Sequence, residues 1–335
     1  MTLTETAVNT GVFAGTLSTS TEQTAAASNN GVLRAVFGNR MQVDYTDPVD
    51  ILAHLMIGSE GTLAVVTKVV VRILRKPESV STLLAAYDSI PAAGAAVSDI
   101  IAAGIIPAAV EIMDGCSLEA VEAAVHPNFP PAIAILIVEL DGPTTEVEEQ
   151  FTEVEAICRR VGATTVELAK DEAHRARIWK GRKGAFASMG RITPNYYVQD
   201  GVVPRTKLPE VLDRIHQLEA RCGLRIGNVF HAGDGNLHPL ICYDETIPGQ
   251  AALAAKVGGE ILGYCVEAGG SITGEHGVGA DKAEYMPRMF SEDDLDVMRR
   301  VRAAFDGKGL CNPGKVLPTP RLCGEVPGPY HAHPY

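Results

Sequence analysis

The chain has 335 residues, 46% of them hydrophobic, and its 41 acidic and 29 basic side chains give a formal charge of −12. This is the composition of a globular protein, and with Lys and Arg nowhere concentrated it argues against nucleic acid as a partner. The longest apolar run, 132–138, is far shorter than the roughly 20 residues that cross a bilayer, and no basic segment followed by an apolar one marks a secretory signal.

Residues 1–46 open with a stretch rich in Thr, Ser and Ala, without a sustained apolar period, and are expected to be disordered or atypical. Between 47 and 79 the character changes to a short helix-like segment, a Gly-Ser-Glu-Gly turn at 58–61 and a β-branched strand over 63–74. From 80 onward strands alternate with helices. Strands are expected at 81–87, 108–114, 132–140, 164–169, 195–203 and 224–231, and helices at 91–104, 117–125, 144–161, 171–189 and 208–222. Pro91 suits a first helical turn, Thr144 or Thr145 an N-cap, and Gly162 and Gly223 the positions just past helix ends. Polar interruptions on one side of several strands favour a mostly antiparallel sheet with helices on one face, an α+β arrangement.

The stretch VFHAGDGNLHP (229–239) reads as a hairpin whose reversal is Gly233 to Asn236, so that His231 opposes His238. Opposed residues on one face lie about 5 Å apart, within reach of one shared metal ion. A long helix over 249–267 precedes SITGEHGVG (271–279), whose glycines free Glu275 and His276 from strand alternation. Ser291 and Asp294 form a capping box for a C-terminal helix, Asn312-Pro313-Gly314-Lys315 is a turn, and 319–335, with His331 and His333, is a flexible tail.

His231, His238 and Glu275 together offer two nitrogens and a carboxylate, a set that suits a divalent cation with open positions. His276 is a candidate general base, and Arg182 can grip a carboxylate with its planar fork. Hydrolysis and oxidation both remain open from these residues. Seven scattered cysteines without a CxxC pair point to the cytoplasm and against an iron–sulfur cluster within the chain.

Six motifs run in unbroken order over about 47–318: GSEGTLAVVTKVVVRIL (58–74), GRKGAF (181–186), YYVQDGVVP (196–204), NVFHAGDGNLHPL (228–240), GGSITGEHGVG (269–279) and CNPGK (311–315). They resemble the FAD-linked oxidases of the vanillyl-alcohol-oxidase type, above all the branch containing glycolate oxidase D-subunits and the D-lactate and D-2-hydroxyglutarate dehydrogenases. The resemblance implies that 47–79 is the end of a FAD-binding domain whose earlier half is missing, and that 80–318 is a ferredoxin-like antiparallel cap domain. It places Gly58, Ser59, Glu60, Gly61 and Thr62, with Asn312 and Lys315, at the FAD. It makes His231, His238 and Glu275 the ligands of zinc, manganese or iron, His276 the base, and Arg182 the partner of the substrate carboxylate. Phe186 and Val198 stand where some relatives have Thr and Lys, a departure in the substrate contacts. The implied reaction is oxidation of a small 2-hydroxy acid to the 2-oxo acid. Electrons would pass to an iron–sulfur partner subunit, and any membrane association would run through partner subunits. The alternatives are a non-catalytic metal- and carboxylate-binding cap or assembly subunit, and a metallohydrolase.

Overall fold

Unbroken apolar runs at 83–87 and 134–138 are buried residue by residue, so both faces of their strands must be covered. That property shapes the larger of two compact units in the computed structural model, which describes residues 51–72 and 76–318 together with short strands at 3–5, 12–16, 34–36 and 40–43. The tail 319–335 and most of the 1–46 segment expected to be disordered lie outside the described residues.

The first unit takes its residues from 1–72 and 278–335. Strands β1 (Leu3–Glu5), β2 (Val12–Thr16), β3 (Arg34–Val36), β4 (Arg40–Val43) and β5 (Val65–Arg72) form a sheet in the order β1-β2-β5-β4-β3, with helix α1 (Ile51–Met56) before β5. Only β4 and β5 run parallel.

The second unit, 73–277, is continuous. It begins with β6 (Ser79–Tyr87), α2 (Ile90–Ala102), β7 (Ala109–Asp114), α3 (Gly115–Val125), β8 (Ala134–Gly142), α4 (Thr144–Arg160), β9 (Thr165–Leu168) and α5 (Glu172–Ser188). It continues with β10 (Asn195–Val198), β11 (Gly201–Val202), α6 (Leu208–Cys222), β12 (Ile226–His231), β13 (Asn236–Leu237), β14 (Pro239–Tyr243) and α7 (Gln250–Glu267). Helix α8 (Glu292–Phe305) belongs to the first unit and starts at the expected capping box, Ser291 and Asp294 bonding each other's backbone N–H. The division at 72/73 and 277/278 differs from the sequence-based boundaries at 79/80 and 318/319.

The second unit's sheet runs β10-β14-β12-β7-β8-β6-β9 with every pair antiparallel. Its first half, β6-α2-β7-β8-α4-β9, has the strand order of a ferredoxin-like βαββαβ unit. A second copy of that pattern starts with β10, α6, β12, β14 and α7, and joins the first along β7 and β12. Where β9 completes the first copy after α4, the chain after α7 makes a single bridge, Ser271 to Val202, and then turns irregular.

Alternate residues along the strands enter two separate cores. Leu83, Ala85, Ile112 and Phe230 pack with α2, α4, α6 and α7, whereas Leu84, Met113, Ile137 and Val229 pack with α3 and α5. Helices therefore cover both faces, not one as expected, because the central strands are apolar on both sides. The caps behave as the sequence suggested at Pro91, Gly162 and Gly223, but Pro143 caps α4 without a side-chain bond while Thr144 Oγ1 donates to Glu78.

Glu139 on β8 sits at a polar node on the α5 face. It accepts from Thr82 Oγ1 at 2.6 Å, Trp179 Nε1 at 2.6 Å and both Nε and Nη2 of Arg175 at 2.9 Å. Burial raises its carboxyl, but the bonds from Arg175, Thr82 and Trp179 outweigh burial and hold it below the ordinary value of 4.5. The depressed value stabilises the fold above the ordinary carboxylate range, and this contribution fades as pH falls through the folded value. Glu139→Gln should accordingly cost about 1–3 kcal/mol at pH 7, the scale of hydrogen bonds to a charge, and markedly less near pH 3, as read by urea unfolding at both pH values.

Candidate functional site

The hairpin that carries the two histidines is paired two residues away from expectation. His231 pairs with Asn236, not His238, and the reversal is Ala232 to Gly235, closed by Asp234 N donating to His231 O at 3.1 Å and Gly235 N to Ala232 O at 3.2 Å. Gly235 decides this: its φ of +72° is left-handed, and a Cβ there would lie 2.1 Å from Val203 O. Asn236, expected in the turn, instead opens β13. The slip amounts to two residues, and because side chains alternate with period two, His231 and His238 keep the same face. Their ring centroids are 5.2 Å apart.

That face is the one covered by α5. Phe186 of α5 meets the His238 ring edge-on at 5.8 Å, and Arg182 reaches from the same helix into the sheet. Glu111 of β7 is the direct register partner of His231 on β12. Its Oε1 lies 2.9 Å from His231 Nδ1, and its Oε2 accepts from Arg182 Nε at 3.1 Å and Nη2 at 2.8 Å. Glu111 and Arg182 are only 5% and 6% exposed. The bond to Glu111 raises the His231 imidazole above its ordinary value against the effect of burial.

The opposite side of the site comes from the irregular chain after Ser271. Asp200, in the break between β10 and β11 and 1% exposed, takes its backbone N–H groups: the carboxylate accepts from Glu275 N at 3.1 Å and His276 N at 2.9 Å, and the carbonyl accepts from Gly274 N at 2.9 Å. Thr273 Oγ1 adds a fourth bond at 2.7 Å. Gly274 allows the close pass, since a Cβ there would lie 2.7 Å from the Asn236 side chain.

Glu275 Oε1 is thereby set 3.2 Å from His238 Nε2, 3.7 Å from His231 Nε2 and 3.2 Å from His276 Nε2. His276 stacks on His238 with centroids 4.8 Å apart and planes 2° from parallel. The ligand atoms of His231, His238 and Glu275 all lie within 4.8 Å of one another, as do those of Asp200, His238 and His276. His238 is 1% exposed, yet neither ring nitrogen makes a hydrogen bond; its approach to Glu275 lacks hydrogen-bond geometry. Two imidazoles and a carboxylate converging around such an orphan are a donor set that fits a divalent cation.

The structure thus gathers His231, His238, Glu275, His276 and Arg182, and adds Glu111 and Asp200, which sequence reasoning missed. Each left a trace: Glu111 is the lone charge among the aliphatic residues 109–113, and Asp200 interrupts an apolar strand next to a glycine. The residues expected at FAD lie in the first unit. Glu60, with a left-handed φ of 52°, accepts from the backbone N–H of Val278 at 2.6 Å and Gly279 at 2.7 Å, and its carbonyl accepts from Asn312 Nδ2 at 2.6 Å. Thr62 Oγ1 closes the Gly58–Thr62 turn onto Ser59 O at 2.6 Å, and the Lys315 carbonyl accepts from Arg302 Nη1 at 3.4 Å.

Residues 76–316 match the family described as FAD linked oxidases, C-terminal domain. The chain belongs to this family. Its similarity to the glycolate oxidase subunit GlcD of Escherichia coli K12 is 50% identity over 285 residues, 85% of this chain and 57% of that protein. Against the probable mitochondrial D-lactate dehydrogenase of Danio rerio it is 30% over 274 residues, 79% of this chain and 54% of that one. The chain thus spans little more than half the length of these curated relatives. In fold it is similar to 4-ethylphenol oxidase of Gulosibacter chungangensis, with a TM-score of 0.59 at 14% identity, covering 77% of this chain and 57% of the other.

The role of Asp200 has a direct readout. Asp200→Asn, which turns an amide N–H₂ toward donors, should speed hydrogen exchange at the Glu275 and His276 amides by roughly tenfold or more, the equivalent of about 1.4 kcal/mol, while exchange in β6 and β8 stays unchanged.

Proposed function

We propose that this chain carries the substrate-handling part of a flavin-dependent 2-hydroxy-acid oxidoreductase, with a divalent cation held by His231, His238 and Glu275 and with His276 as general base. The observation that carries the reading is the convergence of these side chains on His238, buried with both ring nitrogens unbonded. The names of the relatives, glycolate oxidase subunit and D-lactate dehydrogenase, share a 2-hydroxy acid as their substrate class.

When bound, the cation supplies Lewis-acid polarisation of substrate oxygen and FAD supplies a hydride acceptor. Zinc, manganese and iron all suit a set of two imidazoles and one carboxylate. His231 and Glu275 fix the cation's place because each is held by a second group, Glu111 for the imidazole and Asp200 for the loop. His276 is half exposed, so it can take a hydroxyl proton from a substrate beside the ligand set and return it to solvent. A role for Arg182 in gripping the substrate carboxylate requires its guanidinium to be shared with Glu111.

At the other end of the reaction we assign Gly58, Ser59, Glu60, Gly61, Thr62, Asn312 and Lys315 to FAD. The Gly58–Thr62 turn and Asn312 are bonded together within one unit, and open space surrounds the position a Gly58 Cβ would take. The electron acceptor is assigned to a separate iron–sulfur subunit. All six described cysteines are free thiols, in keeping with a cytoplasmic protein, and among the described residues no helix is long and apolar enough to cross a membrane.

Purified chain supplemented with FAD and a divalent metal, and mixed with glycolate or D-lactate, should bleach the visible flavin band. His276→Asn should slow that bleaching by about 10²–10⁴-fold with flavin still bound. Metal content should fall from one equivalent in the parent to a small fraction in His231→Ala and His238→Ala. A full equivalent of metal in both variants would overturn the ligand assignment, and hydrolytic turnover without any flavin uptake would overturn the redox reading.

A further inference from the structure

We infer that Glu111 is the positioning residue of the ligand set: it accepts the Nδ1 proton of His231 and so leaves the Nε2 lone pair facing Glu275, while Arg182 anchors Glu111 from behind. This rests on the cation site proposed above.

The argument begins with register. Glu111 and His231 are paired across β7 and β12, so both side chains must leave the sheet on the face covered by α5. A carboxylate buried in an aliphatic strand is costly unless compensated, and Arg182 alone would compensate its charge. The two oxygens nevertheless divide their work. Both Arg182 bonds fall on Oε2, and Oε1 is left for His231 Nδ1 at 2.9 Å.

The consequence is chemical. A neutral imidazole is a donor at one nitrogen and an acceptor at the other, and the hydrogen bond made by one nitrogen sets the role of its partner. With Nδ1 donating to a carboxylate, Nε2 is the acceptor, and it is Nε2 that lies 3.7 Å from Glu275 Oε1 beside His238 Nε2. Without Glu111, His231 is free to carry its proton on Nε2 and to rotate about its side-chain bonds. Arg182 thus acts on the site through Glu111: by holding Oε2 it keeps the other oxygen aimed at the imidazole.

The test uses the full chain and two readouts. Glu111→Gln removes the charge but leaves Arg182 buried without its partner. The double variant Glu111→Leu with Arg182→Met removes both members of the buried pair, the substitution least prone to unfold the protein. Zn²⁺ affinity is measured by competition with a chromophoric chelator, and the His231 tautomer of the metal-free protein by long-range ¹⁵N–¹H correlation. The parent should show the Nδ1–H tautomer, and the double variant a shift toward Nε2–H together with a roughly 10–100-fold weaker Zn²⁺ affinity, the usual range for losing an outer partner of a metal-bound histidine. Parent-like affinity and tautomer in a folded double variant would overturn the inference. If the parent itself binds no Zn²⁺, the cation reading fails, and the tautomer shift alone decides whether Glu111 orients His231.

Discussion

The loop that delivers Glu275 and His276 has no ladder of its own beyond one bridge at Ser271, so its place depends on the buried carboxylate of Asp200. Backbone N–H groups leaving a sheet must find acceptors, and here a side chain supplies what a neighbouring strand otherwise would. The substitution matters because a strand would force consecutive side chains to opposite faces. Held by Asp200 instead, residues 275 and 276 both turn toward His238, and three imidazoles and a carboxylate come to share a small volume.

The two related halves of the second unit explain why the site lies where it does. The first ferredoxin-like half is completed by β9 and is a scaffold. The second lacks that closing strand, and the irregular segment carrying Glu275 and His276 follows α7 in its place. The scaffold half still contributes through its edge: β7, where the halves meet, brings Glu111 to His231. Rigid strands thus carry His231 and Glu111, the join of β13 and β14 carries His238, and an irregular segment carries Glu275 and His276.

Much of this was legible in the sequence. Strand and helix positions follow from aliphatic runs and helix caps, and the two histidines with their flanking glycines mark the candidate site in the sequence itself. What the sequence concealed were relations between segments distant along the chain. The face covered by α3 and α5 was hidden because strands apolar on both sides show no alternation to read. The hairpin register differs from expectation because Gly235, not Gly233, adopts the left-handed conformation, and no spacing rule distinguishes two glycines that flank one aspartate. Glu111 looked like an ordinary strand glutamate until β7 was found beside β12. Asp200 falls inside the expected strand 195–203, and its role lies in the chain some 75 residues later that wraps around it.

The clamp at Glu60 joins residues 218 positions apart in the chain. The first unit is therefore assembled from two pieces with the whole second unit lying between them in sequence. During synthesis the continuous piece, 73–277, is complete before the C-terminal piece of the first unit has emerged, and domains fold as units once their chain is available. Glu60 must then wait, with its carboxylate uncommitted, until Val278 and Gly279 arrive. The order of maturation runs from the imidazole-bearing unit to the one that carries Glu60, so the proposed cation site takes shape before the turn proposed to lie at the flavin.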